Sequence, residues 1–172
     1  MGSGRVALAR EARSGGLRRR CRGTVGAMTS DAAIALAEDG TGIRLAVVGA
    51  HLRGQPLHHQ LVDRGAVLVA DTETAATYRL FALPTTPPKP GLVRVAADDP
   101  AGVAIDVEVW SLEPAHFAWF VDAIPAPLGI GRVLLADGTD VAGFLCEPVA
   151  LDDDALEITA HGGWRAFLAS AG

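Results

Sequence analysis

Two cysteines, one tyrosine and an aromatic content of only 5% are the scarcities of this 172-residue chain. Cys21 stands in an arginine-rich leader and Cys146 in a predicted strand, so no disulfide framework is available and a reducing, cytoplasmic setting is expected. No run approaches the roughly 18 apolar residues that a membrane helix needs. Aromatic and basic residues are not interleaved and the net charge is -5, which argues against a nucleic-acid surface. His58, His59 and His116 have no cysteine or carboxylate at ligand spacing, so no metal and no cofactor is expected.

What the chain does have is apolar bulk. Hydrophobic residues make up 49% and charged residues 20%, enough to support one packed domain. The charge is divided. Residues 1–27 hold seven arginines and one glutamate, a balance of +6, and the remainder carries −11. Residues 1–42 are therefore expected to be a disordered basic leader and short lead-in, with at most a helical turn over 31–37. Arg18-Arg19-Arg20 resembles the front of an export signal, but the segment after it is too short and polar for a signal core. Met28 is a sensible alternative first residue. The domain is expected over 43–170.

Within it, 43–48 reads as a buried strand and 56–64 as a short helix opened by Pro56 and capped by Gly65. Strands follow at 66–70 and 77–83. Residues 84–91, with four prolines, read as a stiff connector. Further strands are expected at 92–96 and 103–110. Pro114 opens a helix whose Phe117, Phe120, Val121 and Ile124 share one face. Asp137-Gly138 predicts a tight hairpin between 132–136 and 140–147. A last strand is expected at 155–160 and a helix at 163–170. Short strands that do not alternate with helices predict an α+β fold, a small mixed β-barrel with a few flanking short helices.

The richest stretch is Leu45-Ala46-Val47-Val48-Gly49-Ala50-His51-Leu52-Arg53-Gly54-Gln55-Pro56-Leu57. A strand that stops in a Gly-X-His turn places free backbone N–H groups beside a titratable ring. Such N–H groups bind anions, and histidine changes charge near neutral pH. The expectation is a carboxylate pocket with Gly49, Ala50 and Leu52 in its loop and His51 as the proton carrier. Tyr78 can add a hydroxyl and Arg79 can orient a carboxylate; Arg94 is a weaker candidate of the same kind. Glu108 points either to solvent or into a pocket.

The motifs Gly49-Ala50-His51-Leu52-x-Gly-x-Pro-Leu, Tyr78-Arg79-Leu80-Phe81-Ala82-Leu83 and Lys89-Pro90-Gly91-Leu92-Val93-Arg94 occur in that order. They are followed by Val107-Glu108-Val109-Trp110, Ile124-Pro125-x-Pro127-Leu128-Gly129-Ile130-Gly131, Gly143-Phe144-Leu145-Cys146-Glu147 and Gly162-Gly163-Trp164-Arg165. Together the set resembles the C-terminal domain of allophanate hydrolase. The resemblance implies a gamma-glutamylcyclotransferase-like fold, a carboxylate held by loop amides, and decarboxylation of N-carboxycarbamate with His51 as catalytic residue. It also implies a small carboxylate-bearing substrate and work beside a separate amidase subunit, since no Gly/Ser-rich amidase segment is present. Two alternatives stand: a non-catalytic assembly module for that amidase, and a gamma-glutamylcyclotransferase-like enzyme. The sequence departs from the cyclotransferase pattern at Asp122-Ala123-Ile124-Pro125, which has no Glu-Gly. It departs from the allophanate hydrolase pattern at His58, where asparagine is usual.

Because residues 1–27 carry no core-forming pattern, a chain beginning at Met28 is expected to keep the full-length melting midpoint. Calorimetry checks this, and a drop of several degrees would show that the leader packs on the domain.

Overall fold

The computed structural model describes residues 42–171. The expected leader and the turn over 31–37 lie outside them. Among the described residues, eight strands form two sheets. Strand β1 (Ile43–Val47) lies at the centre of a five-stranded sheet, antiparallel to β5 (Asp106–Leu112) and parallel to β7 (Asp140–Cys146). β2 (Val67–Glu73) and β6 (Leu128–Leu134) are its edges, giving the order β2-β5-β1-β7-β6. The second sheet is β4 (Lys89–Arg94), β3 (Tyr78–Leu83) and β8 (Leu156–Glu157), in that order.

The expected α+β class is present as two sheets with a few short helices, and the barrel expected with it does not close among the described residues. The large sheet bends far enough for its two edges to meet at one bridge, Thr74 to Leu135. No continuous ladder joins β2 to β6 among the described residues. β2 is also irregular: Leu68 pairs with Trp110 and Ala70 with Val109, which leaves Val69 as a bulge on the open edge. Val69 is 45% exposed.

β1 is mostly apolar and β5 alternates, yet both are buried along most of their length because neighbours cover both of their faces. Leu45, Val47, Tyr78, Leu80, Ile105 and Val107 form the centre of one core. The parallel β1–β7 contact is close: a Cβ on Gly143 would lie 3.2 Å from that of Ala46 and 2.5 Å from Val133 Cγ2. Glycine is needed there for approach rather than for conformational freedom.

Several elements differ from the sequence expectation. The helix over 56–64 shortens to one turn, α1 (His59–Val62). Leu57 N–H donates to Ala50 O, tying the start of that segment back to the loop rather than into a helix. Its end is as predicted: Gly65 has φ +67°, and Ala66 N–H reaches Leu61 O, which closes the last turn in a left-handed cap. The proline connector is shorter than expected, because Lys89-Pro90-Gly91 joins β4. Pro90 is tolerated on a strand at the edge of its sheet, where a missing N–H breaks no inner ladder. β8 has only two residues, since the Thr159 side chain takes the next backbone positions of β3: Leu80 N–H donates to Oγ1 at 3.0 Å. The hairpin forms at Asp137-Gly138, with φ +84° at Gly138.

Helix α2 (Pro114–Asp122) begins at the predicted proline, and α3 (Trp164–Ser170) closes the domain. Phe120 is the buried residue of α2, at 4% exposure. Its ring meets those of His51 at 5.1 Å and Phe144 at 5.7 Å. Phe120→Ala is therefore expected to cost about 3 kcal/mol of stability, the low end for a buried phenylalanine because one side faces a cavity. Urea denaturation checks this, and a variant as stable as wild type would mean that the α2 contact does not hold.

Candidate functional site

β1 ends at Val47, and the chain turns at once. Leu52 N–H donates to Gly49 O at 2.8 Å and Gln55 N–H to Leu52 O at 2.9 Å. The turn can form only if residue 49 lacks a side chain: a Cβ on Gly49 would lie 2.0 Å from Pro90 Cγ. The small sheet thus rests directly on the loop. Amides of Ala50 and His51 have no partner among the described residues.

Beside this loop is a cavity of about 340 Å³. Its floor is Val48, Gly49, Ala50 and His51. Gln60 and Arg64 enter from α1 and the residues just after it, Lys89 from β4, Trp119 and Phe120 from α2, and Phe144 from β7. Among the described residues, no aspartate or glutamate lines it. The pocket is cationic, through Lys89 and Arg64, in a domain that is otherwise acidic. Lys89, the only lysine in the chain, forms no ion pair among the described residues. Arg64 is held by stacking on Trp119, 4.2 Å from the ring centroid, and by donating to Gln60 O at 2.6 Å. Trp119 is 60% exposed and forms the rim.

His51 stacks on Phe144 with ring centroids 5.3 Å apart, and its Nε2 lies 3.1 Å from Gln60 Oε1. Burial lowers its pKa; the Gln60 hydrogen bond raises it in part, and the charges of Lys89, His59 and Arg64 lower it further. The net direction is down from 6.5, which favours the neutral ring at neutral pH.

The other expected site residues are placed differently. Leu52 is core, and its N–H is occupied by the turn, so it is not a ligand donor. Tyr78 is fully buried, and its hydroxyl accepts from Leu134 N–H at 2.8 Å, joining β3 to β6 outside the cavity. Arg79 pairs with Glu157, also away from the cavity. Arg94 on β4 does not line it either. Glu108 points neither to solvent nor into the pocket. It is wholly buried and accepts from Arg53 N–H at 3.0 Å, Arg53 Nε at 2.8 Å, Trp110 Nε1 at 3.1 Å and Arg165 Nη2 at 2.5 Å. Asp71 completes the cluster by pairing with Arg53. Glu108 holds the His51 loop from behind.

Gln60, Arg64, Lys89, Trp119 and Phe144 are the cavity residues that sequence reading missed. Lys89 carried a usable signal, as the lone lysine beside Pro90-Gly91. The others come from segments whose approach to the loop is a tertiary event.

Residues 43–169 match the family described as the allophanate hydrolase C-terminal domain. The chain belongs to that family. It is 45% identical over 130 residues to urea amidolyase of Saccharomyces cerevisiae, covering 74% of this chain and 7% of that protein. The domain therefore spans a small fraction of that relative. The structure resembles Kluyveromyces lactis allophanate hydrolase with a TM-score of 0.72 and 40% identity, covering 76% of this chain and 22% of the other. It also resembles c4763, a uropathogenic E. coli-specific protein, with a TM-score of 0.66 and 36% identity, covering 74% of this chain and 95% of that one. In that last case the domain makes up nearly the whole chain. Among the described residues, no helix is long and apolar enough to cross a membrane.

Glu108 supplies a pH prediction. Burial alone raises its pKa, but the hydrogen bonds from Arg53, Arg165 and Trp110 outweigh this and the net direction is down from 4.5. A carboxyl with a depressed folded pKa adds stability that is present above its unfolded value and lost as pH falls through the folded one. Unfolding free energy is thus expected to fall below about pH 4.5, and Glu108→Gln to cost about 3 kcal/mol at pH 7 and to flatten that fall. Denaturant titrations at pH 3 to 7 check this; a Gln variant with wild-type stability and pH slope would show that the carboxylate is dispensable.

Proposed function

We propose that this family member removes CO2 from N-carboxycarbamate, the small dianion left when an amidase releases ammonia from allophanate, and that it works together with that amidase. The observation that carries the reading is a half-buried His51 in a cavity that holds two cations, two unpaired loop amides and, among the described residues, no carboxylate. Such a cavity suits a small dianion. One carboxylate fits the amides of Ala50 and His51, and Lys89 and Arg64 offset the remaining charge.

The bound dianion also supplies the countercharge that His51 lacks. An anion within about 4–6 Å raises a histidine pKa, so the ring takes up a proton as the substrate enters. In the reaction the N–C bond breaks, its electron pair stays on nitrogen, CO2 leaves, and His51 gives the proton to that nitrogen. A dianion and one proton become CO2 and carbamate, so charge and atoms balance. The apolar wall of Phe120, Phe144 and Ile124 disfavours concentrated carboxylate charge relative to a transition state in which it is dispersed.

The assembly-module reading has one observation in its favour, two exposed apolar side chains, Trp119 at the rim and Val62 on α1. Leu128 and Ile130, also candidates for such a surface, are partly buried. The cyclotransferase reading is the weakest, since it needs a pocket carboxylate and none lines the cavity.

Malonate mimics a doubly carboxylated substrate. It is expected to bind competitively, more weakly as salt rises, and with proton uptake visible when calorimetry is repeated in buffers of different ionisation enthalpy. His51→Asn is expected to fold normally and to slow CO2 release from an amidase-coupled reaction by roughly 10²-fold. If malonate fails to bind and the Asn variant assists the amidase as well as wild type, His51 is structural and the assembly-module reading is the better one.

A further inference from the structure

A neutral imidazole carries one N–H and one lone pair, and the hydrogen bond at one nitrogen decides which nitrogen holds the proton. At His51 the bonded nitrogen is Nε2, 3.1 Å from the amide oxygen of Gln60. Nδ1 has no partner among the described residues and is not one of the sealed, unpartnered polar atoms, which are His58 Nε2 and Thr77 Oγ1. The ring cannot turn freely to exchange the two nitrogens. Phe144 stacks on one face with an interplanar angle of 10°, and Phe120 meets the ring edge-on at 65°.

Gln60 is itself well anchored. Its N–H donates to Leu57 O at 3.0 Å and its carbonyl accepts from Arg64 Nη1 at 2.6 Å. Its neighbour Leu61 is fully buried. The permanently charged groups nearest His51 are Lys89 and Arg64, both cations, and among the described residues no carboxylate lines the cavity. The Gln60 oxygen is thus the protein group that favours a protonated Nε2.

We infer that Gln60 is a positioning residue: its amide oxygen keeps the Nε2 proton of His51 in place, so that Nδ1 takes up and returns the proton of the reaction. The inference rests on the decarboxylation reading for the fate of that proton. As the dianion enters, Nδ1 gains a proton from solvent. It then passes that proton to the nitrogen whose bond to CO2 breaks, and the electron pair of that bond forms the new N–H. The ring returns to its starting tautomer, with Nε2–H still on Gln60. Successive turnovers then need neither a ring flip nor a proton shift between its nitrogens.

The test uses the full chain labelled with 15N-histidine, as wild type, Gln60→Glu and Gln60→Leu. In neutral wild type, the His51 shifts are expected to show a protonated Nε2 and a bare Nδ1. A carboxylate at position 60 accepts the same hydrogen bond and adds negative charge, so Gln60→Glu raises the His51 pKa. Gln60→Leu removes the acceptor and lowers it. The pH limb of turnover is expected to move with the pKa, in opposite directions for the two variants, and Gln60→Leu to lose about tenfold in turnover. A merely structural role for Gln60 would not produce opposite shifts. A neutral wild type protonated on Nδ1, or variants that leave the His51 pKa and the pH limb unmoved, would overturn the inference. Wild type that shows the expected tautomer and opposite pKa shifts yet releases no CO2 would overturn the reaction reading and still support Gln60 as the holder of the ring. The wild-type tautomer measurement stands even if a variant fails to fold.

Discussion

The structure hangs on one buried carboxylate. Placing Glu108 out of water on a central strand costs several kcal/mol unless its oxygens are satisfied. Here they receive four donors, two from Arg53 in the loop after β1, one from Trp110 on the same strand and one from Arg165 on α3. One donor is a main-chain N–H, that of Arg53, only two residues past His51. The ion cluster thereby fixes the path of the backbone at the loop, and not just the side chains around it. Strand β5, the loop after β1 and the start of α3 are locked in one arrangement, and the Ala50 and His51 amides are held where they lie.

From the opposite side, the loop is confined by Pro90 lying on Gly49. Between these two constraints the chain has little room to relax, which suits a site that works by placing fixed donors around an anion. The cationic character of the cavity is local. Two side chains and two amides create it against a negative domain, so recognition depends on short-range contacts more than on the long-range field.

Much of the fold was legible where the signal is local. The run into Gly49, the Asp137-Gly138 turn, Pro114 at a helix start and Gly65 at a helix end each state their geometry in adjacent residues. The Gly-X-His turn was legible for the same reason, and His51 does line the cavity. What failed was non-local. Period-two alternation put Glu108 and Val107 on different faces of a strand, and it could not reveal that both faces are covered or that two arginines from distant segments converge there. Tyr78 and Arg79 suit carboxylate chemistry by type, yet one bridges strands and the other pairs with Glu157. Gln60 is unremarkable in the sequence and becomes informative only once α1 is folded back against the loop. The two-residue β8 was equally hidden, because a threonine hydroxyl ends the ladder there.

The bulge at Val69 bears on how the molecule behaves in company. A straight edge strand with exposed valines is a template on which another chain can add hydrogen bonds. On β2 an extra residue interrupts the register midway, so a second edge laid alongside would match on one side of Val69 and fall out of step on the other. The domain thereby keeps an apolar rim without offering a continuous seam for strand exchange. The local irregularity thus guards the half of the edge that carries Val67 and Val69, while Asp71 and Glu73 place negative charge on the other half.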